Sequence, residues 1–348
     1  MKIAFVLPSL ENRGPAIFTK YLIDALVPLV DGIEVFYFNE YPQNQCIMFK
    51  VPCNKISFWG KLNFSSFDIV HSTMAIPDIY CSLKVPKRKW VVAMHNFPID
   101  QIMLRGKIKG TIINICWKIA LKKCCNVILS STSMLNFYKK YLGYKNFQVI
   151  PYGIPNIPYE SIKGNEIDNI LKLKKNGYFI LGSVGMLVYR KGFHQLIEVL
   201  QRNSNIALLL IGDGNERNKL MSRAVEYGIS DRLIMPGFRT NSFNYYQFID
   251  AYAHVSYSEG FGLAMLEALA KNKPIICSRL EIYNDYFSEE DVAFFTPNDI
   301  QELDAAINKI RNNVETYSKK SKTIYEHYFT DTVMAEKHIG YYMNLLLQ

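Results

Sequence analysis

Ser256-Tyr257-Ser258-Glu259-Gly260-Phe261-Gly262-Leu263-Ala264-Met265-Leu266-Glu267-Ala268 joins a glycine-rich turn to an apolar helix and sets two glutamates eight positions apart. Residues 253–256 read as the end of a strand, Gly260 and Gly262 as the turn, and Leu263–Ala270 as a helix of good formers. Glu259 then stands at the strand's carboxyl end and Glu267 further along the helix. The amides of Phe261, Gly262 and Leu263 fall at the helix amino terminus, where unpaired N–H groups and the helix dipole suit a diphosphate. A carboxylate on either side can accept ligand hydroxyls. A pair of glutamates at this spacing is also what a capped surface helix carries, so the surrounding chain has to decide.

Outward from this stretch, short apolar runs alternate with helical patterns, the signature of βα units and parallel sheets. The first half predicts strands at 2–7, 33–38, 69–70, 90–94, 126–129 and 148–150; the second predicts them at 178–184, 207–211, 233–235, 253–256, 274–277 and 293–295. Between the halves, Pro151-Tyr152-Gly153-Ile154-Pro155-Asn156-Ile157-Pro158 holds three prolines and a glycine and reads as a linker. A chain of 348 residues, 49% hydrophobic and 20% charged, is globular and long enough for two domains. No apolar run reaches the ~18 residues of a membrane span. Residues 2–7 are too short for a signal-peptide core and read as a buried first strand, which gives a cytoplasmic expectation. Seven cysteines without metal-ligand spacing read as reduced, buried thiols, with Cys124-Cys125 serving packing.

The net charge of +9 is unevenly spread: residues 1–150 carry 19 Lys and Arg against 8 Asp and Glu, and residues 151–348 carry 21 against 23. The excess gathers in Lys84, Lys87, Arg88 and Lys89, in Arg105, Lys107 and Lys109, and in Lys118, Lys122 and Lys123 beside Trp117. Interleaved with Ile102, Met103, Leu104 and Ile108, these suit an anionic membrane surface or a phosphate-bearing acceptor; a solvated lysine face is the competing reading. No nucleic-acid-binding motif accompanies the charge, so nucleic acid is not expected as a partner.

Ser-x-x-Glu-Gly-Phe-Gly followed by a Glu on an apolar helix resembles the E-x7-E signature of retaining GT-B glycosyltransferases, those of family 4. The resemblance implies an α/β GT-B fold of two Rossmann-like domains whose parallel sheets face a central cleft. It implies an acceptor-side domain over 1–152, a donor domain over 153–330, and a last helix over 331–348 crossing back to the first domain. Glu259 would contact the transferred sugar and Glu267 the nucleotide ribose, with Gly260, Phe261, Gly262 and Leu263 at the donor.

Further segments match the family position by position. In Gly185-Met186-Leu187-Val188-Tyr189-Arg190-Lys191-Gly192 the family has a basic pair on the donor diphosphate, which gives that role to Arg190 and Lys191; Met186 stands where an arginine is common. In the first βα loop, Gly14 remains of a paired-glycine turn near the donor, and Arg13 offers positive charge. Gly212 and Gly214 match a Gly-x-Gly turn near the nucleotide, and Phe238 and Arg239 a loop against the base. Arg217 stands where a dinucleotide fingerprint needs a third glycine, which argues against an NAD-dependent oxidoreductase. His95, at a strand's carboxyl end, matches a histidine facing the sugar; His71 is the lesser candidate, and His194, His254, His327 and His338 read as structural.

The implied reaction is retaining transfer of a sugar from a nucleotide diphosphate, UDP-linked, to a glycan or lipid-linked acceptor in bacterial surface polysaccharide synthesis, on or near the inner membrane face. The chain lacks any Asp-x-Asp, so no cofactor and no metal are expected; Arg190, Lys191 and the helix amides take the cation's place. Two alternatives stay open: a GT-B nucleotide-sugar epimerase, which would convert donor without acceptor, and a catalytically silent nucleotide-sugar- or membrane-binding partner of a glycan-assembly complex.

Overall fold

The computed structural model describes the chain except for residues 96, 100, 101, 103–105, 144 and 348. Met103, Leu104 and Arg105 of the basic cluster, and Asn96 beside His95, thus lie outside the described residues. The chain divides into two compact units, 1–155 with 328–348, and 156–327. Among the described residues no helix is long and apolar enough to cross a membrane.

The first unit is built on seven strands: β1 (Lys2–Ser9), β2 (Gly32–Asn39), β3 (Cys53–Lys55), β4 (Ile69–Thr73), β5 (Trp90–Ala93), β6 (Asn126–Leu129) and β7 (Asn146–Val149). Their order is β3-β2-β1-β4-β5-β6-β7, with every pairing parallel. The strands read from sequence are the apolar ones, since helices cover both faces of a parallel sheet and leave continuous hydrophobic runs. The edge strand β3 escapes that reading because all three of its residues are exposed; it is held by its register on β2, with Val35 opposite Cys53.

The proline-rich segment is a linker only in its second part. Residues 151–154 are buried and residues 156–160 exposed. Ile154 forms a parallel bridge with Thr330, its N–H donating to the Phe329 carbonyl at 2.9 Å and its carbonyl accepting from Asp331 at 3.2 Å. Thr330 caps the last helix, Asp331–Leu346, by accepting from the Val333 amide. That helix packs on the helix Gly14–Leu26, and its Tyr342 hydroxyl meets Nδ1 of His71 on β4. His71 is thus a core residue of this unit.

All seven cysteines are free, but not all are buried: Cys81, Cys124 and Cys277 are, whereas Cys53, Cys116 and Cys125 are exposed. Cys53 sits on the edge strand and Cys125 just beyond a helix end, which corrects the expectation of buried thiols throughout and of a packed Cys124-Cys125 pair.

The second unit carries β8 (Phe179–Val184), β9 (Ile206–Ile211), β10 (Leu233–Gly237), β11 (Ala251–His254), β12 (Ile275–Ser278) and β13 (Ala293–Phe295), in the order β10-β9-β8-β11-β12-β13, all parallel. Ile-Ala-Leu-Leu-Leu-Ile of β9 is buried at every position. Leu208 and Leu210 join Leu196, Leu200, Leu303 and Ile307 from flanking helices in one core. Each such side chain contributes about 1.5–3 kcal/mol on burial. Strand order reverses between β8 and β11, and in open α/β sheets ligands gather at the carboxyl ends of the strands beside such a switch.

Candidate active site

At this switch, β8 ends in Val184 and leads through residues 185–188 into a tight turn, Tyr189–Lys191; β11 ends in His254 and leads through residues 255–262 into the helix Leu263–Ala270. Backbone and side chains stitch the two loops together. The Tyr257 amide donates to the Arg190 carbonyl at 2.9 Å, Arg190 Nη1 to the Ser258 carbonyl at 2.5 Å, and Gln195 Nε2 to the Val255 carbonyl at 2.9 Å.

Glu259 is buried at the centre of this arrangement. Its Oε1 accepts from Lys191 Nζ and from Ser256 Oγ, each at 2.6 Å, and Arg190 Nη1 lies 3.6 Å from Oε2. Burial on its own would raise this carboxyl. The nearby charges, Lys191 foremost, together with the Lys191 hydrogen bond, outweigh that and hold it at about 2. Glu259 is therefore an ionised acceptor at any physiological pH, and its ion pairs fix the two cations in place. Arg190 keeps a third of its side chain exposed, which leaves guanidinium donors for a second anion.

His254 Nε2 lies 3.6 Å from the same Oε1 and 2.8 Å from the Tyr283 hydroxyl. Tyr283 also donates to the Phe261 carbonyl, and with its single hydrogen there, Nε2 carries the ring proton. Burial, opposed by Glu259 and reinforced by Lys191 and Arg190, lowers His254 to about 4 and keeps the ring neutral. Sequence alone reads His254 as structural and gives Ser256 no role. Only Ser256, three positions before Glu259, carries a local signal.

Gly262 holds the helix entrance. Its φ of 97° lies in the left-handed region, and a Cβ there would come 3.0 Å from His254 Cε1 and 3.2 Å from the Tyr283 hydroxyl. Phe261 turns inward, 1% exposed, against Tyr283 and Tyr286, and anchors the turn. The amides of Leu263 and Ala264 precede the first hydrogen bonds of the helix, which run from Met265 and Leu266 to the Gly262 carbonyl at 3.0 and 3.3 Å, and point out of the amino terminus.

Glu267, one helix turn and more beyond, has the opposite environment. Its Oε2 accepts from the Tyr246 hydroxyl at 3.0 Å, and that hydroxyl also lies 2.7 Å from the Ala264 carbonyl. The side chain keeps some solvent contact, yet the protein mass around it raises the carboxyl to about 7, with the Tyr246 hydrogen bond opposing the rise. The two glutamates are thus tuned apart, one fully charged and one poised between states.

The other candidates divide. Gly212 and Gly214 follow β9 and lie under the 185–188 loop: a Cβ on Gly212 would fall on the Gly185 carbonyl, and one on Gly214 on that of Leu187. Their contact is with the site's own loop, which they hold through the Leu187 amide to the Asp213 carbonyl at 2.9 Å. The Phe238 ring is exposed, whereas Arg239 is held by Glu166 and the Tyr245 hydroxyl, each at 3.0 Å.

His95 and Gly14 belong to the first unit. Gly14 opens the helix Gly14–Leu26, and Arg13 before it pairs with Glu11 at 2.8 Å. His95 follows β5, with Nδ1 on the Tyr152 hydroxyl, its ring 5.0 Å from Phe18, and Nε2 buried without a hydrogen-bond partner among the described residues. Burial, with a smaller contribution from His338, lowers it to about 3, so it is neutral. Among the described residues no three His, Cys, Asp or Glu side chains gather as metal ligands.

Comparison with known proteins is consistent with this geometry. Residues 165–327 match the family model described as Glycosyl transferases group 1. The chain is 26% identical over 362 residues, covering 99% of each chain, to the O-antigen biosynthesis glycosyltransferase WclY of Escherichia coli. Among solved structures it resembles sucrose-phosphate synthase from Thermosynechococcus elongatus, with a TM-score of 0.80 at 18% identity over 99% of both chains. It also resembles HepE of Anabaena in complex with UDP and glucose, with a TM-score of 0.75 at 18% identity over 99% of this chain and 100% of that one.

Proposed function

We propose that the chain is a GT-B glycosyltransferase that transfers a sugar from a UDP-linked donor to a glycan or lipid-linked acceptor in surface polysaccharide synthesis, with retention and without a metal. The observation that carries this reading is Glu259 held ionised by Lys191 and Arg190 at the switch point of the second sheet, beside a helix amino terminus. The name of WclY places that protein in O-antigen biosynthesis, and HepE is a structure with UDP; both support the setting and the donor class.

In this reading the donor diphosphate lies against the amides that begin the helix Leu263–Ala270, and Lys191 and Arg190 share their charge between Glu259 and the phosphates. As the glycosidic C–O bond breaks, negative charge grows on the departing phosphate oxygen, where fixed cations and amides stabilise it without reorganising. Glu259 accepts sugar hydroxyls and so positions the anomeric carbon; it is a binder, not a covalent nucleophile. The leaving phosphate oxygen takes the acceptor's proton on the same face. Glu267 accepts from the ribose hydroxyls.

The test pairs a donor panel with one substitution. Thermal shift against UDP-sugars and their counterparts on other bases should single out a UDP-sugar, and released UDP should report turnover with acceptor. Glu259→Gln keeps the shape but loses one charged hydrogen bond of about 1.5–3 kcal/mol, so turnover should fall about ten- to hundredfold. Near-wild-type turnover would remove Glu259 from the reaction, and a new sugar nucleotide formed without acceptor would make the enzyme an epimerase.

A further inference from the structure

The helix Lys107–Lys123 of the first unit buries one face and leaves an apolar stripe on the other. Gly110, Trp117, Ala120 and Leu121 are buried, whereas Ile108, Ile112, Ile115 and Ile119 are each more than half exposed. At 3.6 residues per turn these four isoleucines fall within an arc of roughly 60°, opposite Trp117. A buried polar chain fixes the helix in this rotation. Trp117 Nε1 donates to Asp78 Oδ2 at 2.7 Å, Ser72 Oγ to Asp78 Oδ1 at 2.6 Å, and Trp90 Nε1 to Ser72 Oγ at 2.7 Å.

Cations border the stripe. Lys107, Lys109, Lys122 and Lys123 are exposed, and Lys118 lies with Nζ 4.3 Å from the Tyr141 ring centre. From residue 101 to residue 159 the sequence holds nine Lys and Arg and not one Asp or Glu. Single exposed isoleucines are ordinary, but four in line between lysines make the pattern of a helix that lies in a lipid interface.

We propose that this face docks on an anionic lipid bilayer, with the isoleucines at the boundary of headgroups and acyl chains and the lysines on lipid phosphates. The proposal goes beyond sugar transfer and does not rest on it. A second copy of the chain fits the face poorly, because a two-fold contact would set lysines against lysines with no acidic residue in this stretch to pair them. The Lys84–Lys89 cluster is a weaker contributor than its sequence suggests, since Lys89 Nζ is committed to the Ser65 and Phe67 carbonyls at 3.1 and 2.7 Å.

Co-sedimentation of the full chain with vesicles tests this, using phosphatidylcholine alone and phosphatidylcholine mixed with phosphatidylglycerol, at low and high salt. The chain should pellet with the anionic vesicles at low salt and be released as salt rises. Ile112→Gln, Ile115→Gln and Ile119→Gln together should cut partitioning more than tenfold. Replacing Lys107, Lys109, Lys122 and Lys123 by Gln should cut it about fivefold per charge; this second variant decides the matter if the first fails to fold. Wild type left in the supernatant at low salt would overturn the proposal, as would two folded variants that pellet like wild type. A lipid-free dimer that the isoleucine substitutions turn into monomer would also overturn it and assign the face to a second copy.

Discussion

Glu267→Gln should make the second unit more stable at neutral pH while making nucleotide-sugar binding weaker. The carboxyl is raised from a glutamate's ordinary 4.5 to about 7, because its ionised form sits in packed protein with Tyr246 as hydrogen-bond partner. Between pH 4.5 and 7 the unfolded chain releases this proton while the folded chain retains it, so stability falls as pH rises through that window and is level above it. At about 1.4 kcal/mol for each pH unit of that window, the ionised state costs about 3 kcal/mol. Glutamine resembles the protonated acid and presents a carbonyl to Tyr246, so the variant should lack that fall. Above pH 7.5 its transition should lie roughly 6–12 °C above wild type, at about 2–4 °C per kcal/mol for a unit of this size. At pH 4.5 the two proteins should melt alike. Binding should move the other way. Ribose hydroxyls donate to the carboxylate and favour ionisation, so wild-type affinity for a nucleotide-sugar, whose diphosphate does not titrate here, should rise toward pH 7 and then level. In the variant affinity should be lower and flat. Thermal unfolding at pH 4.5, 6 and 8, with calorimetric titration over the same range, measures both. An equal pH dependence of melting in the two proteins would refute the electrostatic argument; a stabilised variant with unchanged affinity would detach Glu267 from the ribose.

Lys191→Ala should weaken affinity for the nucleotide diphosphate at least tenfold and also lower the melting temperature, because it strands the buried Glu259 carboxylate. Adding Glu259→Gln should recover the melting temperature and leave the affinity low; unchanged affinity in the single variant would move the phosphate role elsewhere. Turnover should survive EDTA, since Arg190, Lys191 and the helix amides are proposed to meet the leaving diphosphate. Activity lost in chelator and restored by Mg²⁺ or Mn²⁺ would refute that.

Local pattern makes part of this chain legible. Leu263–Ala270 is helical over the residues its composition predicts, and β9 declares itself because burial on both faces makes an unbroken apolar run. Cys53–Lys55 pairs through backbone alone at an edge, so its side chains carry no trace of the strand. Among the site residues, Glu259 and Lys191 are readable as types in a motif, but their ion pair joins positions 68 apart in sequence. The contrast between the two glutamates is not readable at all. It depends on Tyr246, set by the turn Ser242–Phe248, and on His254, whose distance from Glu259 is fixed by how the 255–262 loop folds back. Likewise, Gly212 and Gly214 look like a ligand turn in sequence, while the steric need for glycine comes from the neighbouring loop's carbonyls.

The bridge between Ile154 and Thr330 bears on how the chain comes to be folded during synthesis. It closes a loop that contains the whole of the second unit, whose two ends therefore emerge side by side. That unit is an insertion, complete once residue 327 has been made. The first unit, although its seven strands are translated before the second unit, lacks the helix Asp331–Leu346 until residues 331–346 have been made. Until then the surface of Gly14–Leu26 that this helix covers, and the His71 ring that meets Tyr342, stay open to water. The usual order, in which the amino-terminal part of a chain folds first, is reversed here. A released chain truncated after residue 327 should carry a protease-resistant second unit and a first unit still open to cleavage.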